Sequence, residues 1–145
     1  MKPLILVSND DGITSKGILT LINVMKTLGE VIVVAPDGPQ SGMGHAITVG
    51  ETLRLEENFI FEGVRAFECS GTPADCVKIA RHFVLKHGRQ PDVVVSGVNH
   101  GSNTSISVLY SGTMSAAIEG AIEGTPAIGF SLADFGHDAD FSHTE

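Results

Sequence analysis

Apolar residues fall in short continuous runs that alternate with stretches of helical spacing. Leu4-Ile5-Leu6-Val7, within Pro3–Ser8, reads as a strand buried on both faces. Glu30–Ala35, Asp92–Ser96 and Pro126–Leu132 read the same way. From Ser15 to Leu28, Ile18, Leu21, Ile22 and Met25 follow the period of a helix, which Gly29 stops. Thr72 as N-cap, Pro73 at the first helical position and Asp75 near the positive end of the dipole open a second helix, running to about Lys86. Thr113 to Glu123 reads as a helix of small residues. Buried strands alternating with helices predict an α/β, Rossmann-like three-layer sandwich with a mainly parallel sheet. Between Ala46 and Cys69 the period changes: Ile47, Val49, Leu53 and Leu55, then Phe59, Phe61 and Val64, predict an antiparallel β-hairpin excursion around residues 46–69.

Composition narrows the function classes. With 145 residues, 42% hydrophobic and 18% charged, the chain has the length and make-up of one globular domain, spanning 1–145. Its net charge of −8 makes it a poor partner for a nucleic-acid polymer or an anionic membrane, so phosphate must be met by a cation or by backbone amides. The N-terminal apolar run is too short for a signal-peptide core, and no stretch approaches a membrane span. Cys69 and Cys76 lack metal-type spacing and suit a reducing compartment, so a cytoplasmic protein is expected. After Leu132 the residues Asp134, His137, Asp138, Asp140, His143 and Glu145 form a polar tail with no closing element. A chain truncated at its C-terminus is the expectation, with apolar surface left uncovered on the Phe130–Leu132 side.

In an open parallel sheet, ligands bind beyond the carboxyl ends of the strands. The three loops at those ends are Ser8-Asn9-Asp10-Asp11-Gly12, Ala35–Gly42 and Ser96–Asn103, all rich in oxygen ligands and glycine. Asp10 and Asp11 are adjacent carboxylates whose mutual repulsion a hard divalent ion with oxygen ligands would relieve. An Asp-Asp-Gly turn is the plainer reading, but its place after the first buried strand, with matching loops after two others, favours the metal. Gly42, Gly97, Gly101 and Gly112 let amides approach an anion, and Ser111-Gly112-Thr113 opens a helix whose N-terminus is a ready anion site. His45 and His100 lie in glycine loops, within possible reach of a substrate.

Other phosphate and hydrolase chemistries are excluded. Gly12 and Gly17 have P-loop spacing, but Ile18 stands in place of its lysine. No Gly-x-Gly-x-x-Gly, His-Glu-x-x-His or Gly-x-Ser-x-Gly occurs, which disfavours dinucleotide cofactors, zinc hydrolases and serine hydrolases. A phosphoreceiver domain would want Asp-x-Asp or a downstream lysine at the matching strand ends.

Five ordered blocks carry a resemblance: Leu6–Ile13, Val34-Ala35-Pro36 with Gln40-Ser41-Gly42, Gly71–Val77, Val95–Asn103 and Tyr110-Ser111-Gly112-Thr113. Together they resemble the stationary-phase survival protein SurE family over nearly the whole chain. The resemblance implies a metal-dependent nucleotidase hydrolysing nucleoside 5′- and 3′-monophosphates, some members of the family also acting on short polyphosphate. It implies one divalent ion per subunit, Mg2+ or Mn2+, held by Asp10, Asp11, Ser41 and Asn99. Asn9, Asn99, Ser111, Gly112 and Thr113 would hold the phosphate oxygens. Asp10, Asp11 and Asn9 would carry the chemistry, with water or an Asp carboxylate as nucleophile. Chains of this family usually continue further, so a homodimer or homotetramer is expected of the full-length protein. The rival from another class is a non-catalytic nucleotide- or metal-binding module.

Overall fold

The computed structural model describes residues 2–85, 87–134, 140 and 141. Among these residues six strands form one sheet: β1 (Leu4–Ser8), β2 (Glu30–Pro36), β3 (Leu55–Asn58), β4 (Arg65–Cys69), β5 (Val93–His100) and β6 (Ala127–Leu132). Their order across the sheet is β3-β4-β2-β1-β5-β6. All neighbours are parallel except β3 and β4. Three helices cover it: α1 (Lys16–Leu28), α2 (Pro73–Ile79) and α3 (Gly112–Ile122).

Alternation along the central strands builds the core. On β1, Ile5 and Val7 face one side, where they pack with Val33 of β2 and with Ile18, Leu21 and Ile22 of α1. Leu4 and Leu6 face the other, with Ile32, Val34, Val77 of α2 and Ala116 of α3. Both faces of β1 and β2 are therefore apolar, and two separate layers of helix bury them. The expected α/β three-layer arrangement, with helices on both faces of a mainly parallel sheet, is what forms.

The helix ends follow from local chemistry. Ser15 caps α1 by accepting the Ile18 amide. Thr72 and Asp75 form a reciprocal capping box on α2, with Pro73 in its first turn. The helix predicted from Thr72 to about Lys86 keeps regular α geometry only to Ile79 and continues as a π-helical turn over Ala80–Val84; Lys86 lies outside the described residues.

Three differences from the sequence pattern have physical reasons. The hairpin predicted around 46–69 is confined to β3 and β4, and β4 also joins the main sheet through β2. Its predicted first half forms no strand: Ile47 and Val49 are 50% and 80% exposed, while Thr48 donates to Asp75 and Ala46 accepts from Thr72. Those bonds draw the segment towards the cap of α2 instead of into a ladder. β5 runs to His100, beyond the predicted Ser96, and its register against β6 shifts between Ser96 and Asn99. An unpredicted 3-10 segment, Ser105–Tyr110, precedes α3. On the outer strand β6, Phe130 and Leu132 are half-buried and Ile128 is 50% exposed. Of the polar residues of the tail, only Asp134 and Asp140 are among the described residues.

Candidate functional site

Because β1, β2 and β5 are parallel, the loops that follow them gather at one edge of the sheet. The first two are tied directly: the Gln40 amide donates to Asp10 O at 2.7 Å, and the Ile13 amide to Pro36 O at 2.9 Å. Gly12 makes this approach possible. Its φ is +94°, and a Cβ there would stand 3.3 Å from the backbone of Gly38. Asn9, 1% exposed, shapes the turn by donating from Nδ2 to Gly12 O and to Ser15 Oγ, both at 2.9 Å. Its Oδ1 is buried and accepts no hydrogen bond from the described residues.

Asp10, Ser41, Asn99 and Ser111 line one cavity of about 280 Å³, with His100 and Tyr110 also in its walls. The bulged end of β5 carries Asn99 there. Its Nδ2 donates to Gly101 O at 2.7 Å, which fixes the carboxamide.

The carboxylates are held unequally. Asp10 is 4% exposed and stands against the head of α3, where the Thr113 hydroxyl donates to Oδ1. Burial pushes its carboxyl above the ordinary value of 3.8, and the hydroxyl and amide of Thr113 pull it part of the way back. Asp11 is half-buried. Burial raises it first and the charge of Asp10 raises it further, against the His100 amide, which donates to it. Among the described residues no Lys or Arg forms an ion pair with either carboxylate.

Gly112 is what lets α3 come this close. A Cβ on it would stand 2.5 Å from Asp10 Cβ and 3.0 Å from Oδ2. Ser111 caps the helix by accepting the Met114 amide at 3.0 Å, so its hydroxyl hydrogen is left for another acceptor. Thr113, expected to hold phosphate, gives its hydroxyl to Asp10 in this structure.

Of the two histidines in glycine loops, His100 reaches the cavity wall, whereas His45 Nε2 lies 2.8 Å from Glu119. The sequence reading missed the part played by Tyr110 in the cavity wall. The 3-10 segment that ends in it leaves Ile106 and Leu109 66% and 67% exposed, so no apolar periodicity marks it. Asp10, Ser41 and Asn99 bring a carboxylate, a hydroxyl and a carboxamide to one cavity, hard oxygens of the kind a magnesium-like ion takes, while Asp11 lies next to Asp10 in the chain but outside the lining. Among the described residues no cluster of three or more His, Cys, Asp or Glu has metal-binding geometry.

The family model described as Survival protein SurE matches residues 5–145. The chain is 74% identical over 144 residues to a 5′-nucleotidase SurE of Cytophaga hutchinsonii, covering 99% of this chain and 55% of that protein. It is 65% identical over 145 residues to a 5′-nucleotidase SurE of Christiangramia forsetii, with the same coverage. The crystal structure of SurE protein from Aquifex aeolicus superposes with a TM-score of 0.81 at 43% identity, over 94% of this chain and 52% of that one. The chain thus spans about half the length of the curated relatives it matches.

Proposed function

This chain belongs to the Survival protein SurE family, and from that premise and the chemistry of the cavity we propose that it forms the catalytic part of a divalent-metal-dependent nucleotidase. Its substrates are nucleoside 5′- and 3′-monophosphates, cleaved to nucleoside and phosphate. The observation that carries this reading is the Asp10–Asp11 pair. Both carboxyls are raised by burial and have no Lys or Arg partner among the described residues; Asp10 lines the cavity with Ser41 and Asn99, and Asp11 follows it outside the lining. Buried like charges call for a cation.

Asp10, Asp11, Ser41 and Asn99 are the residues that would hold one Mg2+ or Mn2+. When bound, such an ion neutralises charge on the phosphoryl group and polarises its oxygens. The rest falls to the chain. Thr113 fixes Asp10 and leaves it little freedom to react. Asp11 is the less constrained carboxylate and serves as base towards an attacking water or as the nucleophile itself. Asn99, the Ser111 hydroxyl and the Gly112 amide are the donors for phosphate oxygens. Asn9 acts through the turn that its amide holds. Tyr110, 62% exposed at the cavity wall, offers a ring face on which a nucleobase can stack.

The relatives named 5′-nucleotidase SurE support this reading. A cytoplasmic location belongs to it as well, in keeping with two free, buried cysteines. So does assembly of the whole protein into a homodimer or homotetramer, for which the exposed Ile128 on the outer strand is an available surface. No helix among the described residues is long and apolar enough to cross a membrane.

The test is hydrolysis of 5′-AMP, 3′-AMP and tripolyphosphate by the full-length protein after chelation, with and without restored Mn2+ or Mg2+. Metal-restored release of phosphate from the nucleotides is expected. Saturable nucleotide binding with no turnover under either ion would make the protein a binding module instead.

A further inference from the structure

The segment from Asp37 to Gly50 carries Ser41 and contains no helix or strand. Apolar packing does not hold it: from Ser41 to Gly50 only Gly44 is buried. Hydrogen bonds do. Before Ser41 the Gln40 amide donates to Asp10 O, and after it the Gly44 amide donates to Tyr110 O at 3.2 Å. Next in sequence, His45 sends Nε2 to within 2.8 Å of Glu119 Oε2.

Glu119 is the unusual member. It lies on α3, two turns from the Ser111–Thr113 head, and is 2% exposed. Its other oxygen, Oε1, receives Lys78 Nζ from α2 at 2.5 Å. Lys78 also reaches Glu123, which receives His82 and Arg81. A buried carboxylate secured by a lysine on one side is a fixed anchor, since leaving it unpaired is strongly unfavourable. The partner on the other side is the loop that carries Ser41. His82 makes the same type of pair with Glu123 at 3.1 Å, but it is exposed and joins helix to helix with no loop attached.

We propose that Glu119 and His45 form a latch that seats the Ser41 loop on α3 and so presets the Ser41 hydroxyl at the cavity for a divalent cation. The inference rests on the reading of that cavity as a cation site. His45 and Glu119 are positioning residues that touch neither cation nor substrate. Losing the imidazole leaves Glu119 paired with Lys78, so the core stands while the loop loses its side-chain tie to α3.

The test titrates Mn2+ into the metal-free full-length protein by calorimetry, well below the melting temperature of each variant. His45→Ala should weaken Mn2+ binding about tenfold, the scale of an outer-shell support. His45→Gln, which keeps a donor, should recover most of that loss, and His82→Ala should leave binding unchanged. Hydrogen exchange at the Gly44 amide of metal-free protein should quicken in His45→Ala alone. If His45→Ala melts lower yet binds Mn2+ as tightly as the wild type, the pair is merely structural and the latch is wrong. If the wild type itself binds no Mn2+, the reading of the cavity fails and takes the latch with it.

Discussion

Thr113 donates its hydroxyl to Asp10 Oδ1, joining the head of α3 to the end of β1 across 103 positions of sequence. The bond counters part of what burial does to that carboxyl, because it stabilises the charged form that burial disfavours. It also fixes one oxygen of Asp10, which under the proposed function would set the geometry offered to a cation. Thr113→Val removes the donor at nearly constant volume. We expect Mn2+ affinity to fall about tenfold, as for other supports of metal ligands. Thr113→Ser should restore it, and calorimetric titration of both variants checks the pair.

Gly112 contributes by lacking a side chain. A methyl group there would stand 2.5 Å from Asp10 Cβ, so α3 or the end of β1 must move. Gly112→Ala should destabilise the fold by about 1–3 kcal/mol, the usual scale of overpacking, and abolish stabilisation by Mn2+. Gly38→Ala, whose Cβ would meet nothing within 4 Å, should change neither. Thermal melts with and without the ion decide.

Asp11 gives the pH dependence. Its folded carboxyl titrates above 3.8, because burial and then Asp10 oppose its ionisation. A raised carboxyl contributes fully to stability below its unfolded value, and the contribution is lost as pH rises through the folded value. At neutral pH, metal-free Asp11→Asn should therefore melt about 1–2 °C higher than the wild type, a few tenths of a kcal/mol. The advantage should shrink as pH falls towards 3.8. The same variant should gain nothing from Mn2+. An unchanged response to the ion would remove Asp11 from the site.

Tyr110 separates base recognition from chemistry. If its ring carries the nucleobase, Tyr110→Ala should raise KM for 5′-AMP about tenfold or more, on the scale of 1–3 kcal/mol for a stacked base. KM for a small phosphate ester without a base should hardly move, and kcat should hold for both. Steady-state kinetics on the two substrates is the measurement, and an equal rise for both would refute the stacking role.

The layered architecture was legible in one dimension because burial on two faces leaves a one-dimensional mark. Leu4–Val7 and Val31–Ala35 are continuous apolar runs, which only a strand covered on both sides requires. The cap at Thr72 was equally local, since its side chain bonds an amide three residues away. Parallel strands also bring the loops after β1, β2 and β5 to one edge, so those three loops could be grouped from strand ends alone, whereas picking Asp10, Asp11, Ser41 and Asn99 out of them took the family resemblance.

Only the tertiary structure decided how those residues are held. That Thr113 serves Asp10, that His45 turns to Glu119 while His100 lines the cavity, and that Tyr110 joins its wall depend on contacts between distant segments. The 46–53 stretch shows the same limit: its alternation suited a strand, but Asp75 and Thr72 captured Thr48 and Ala46 first. Periodicity records which face a residue buries. It does not record which of several polar partners will be near, because that depends on how whole elements pack, and here Gly112 sets the approach of α3 to Asp10.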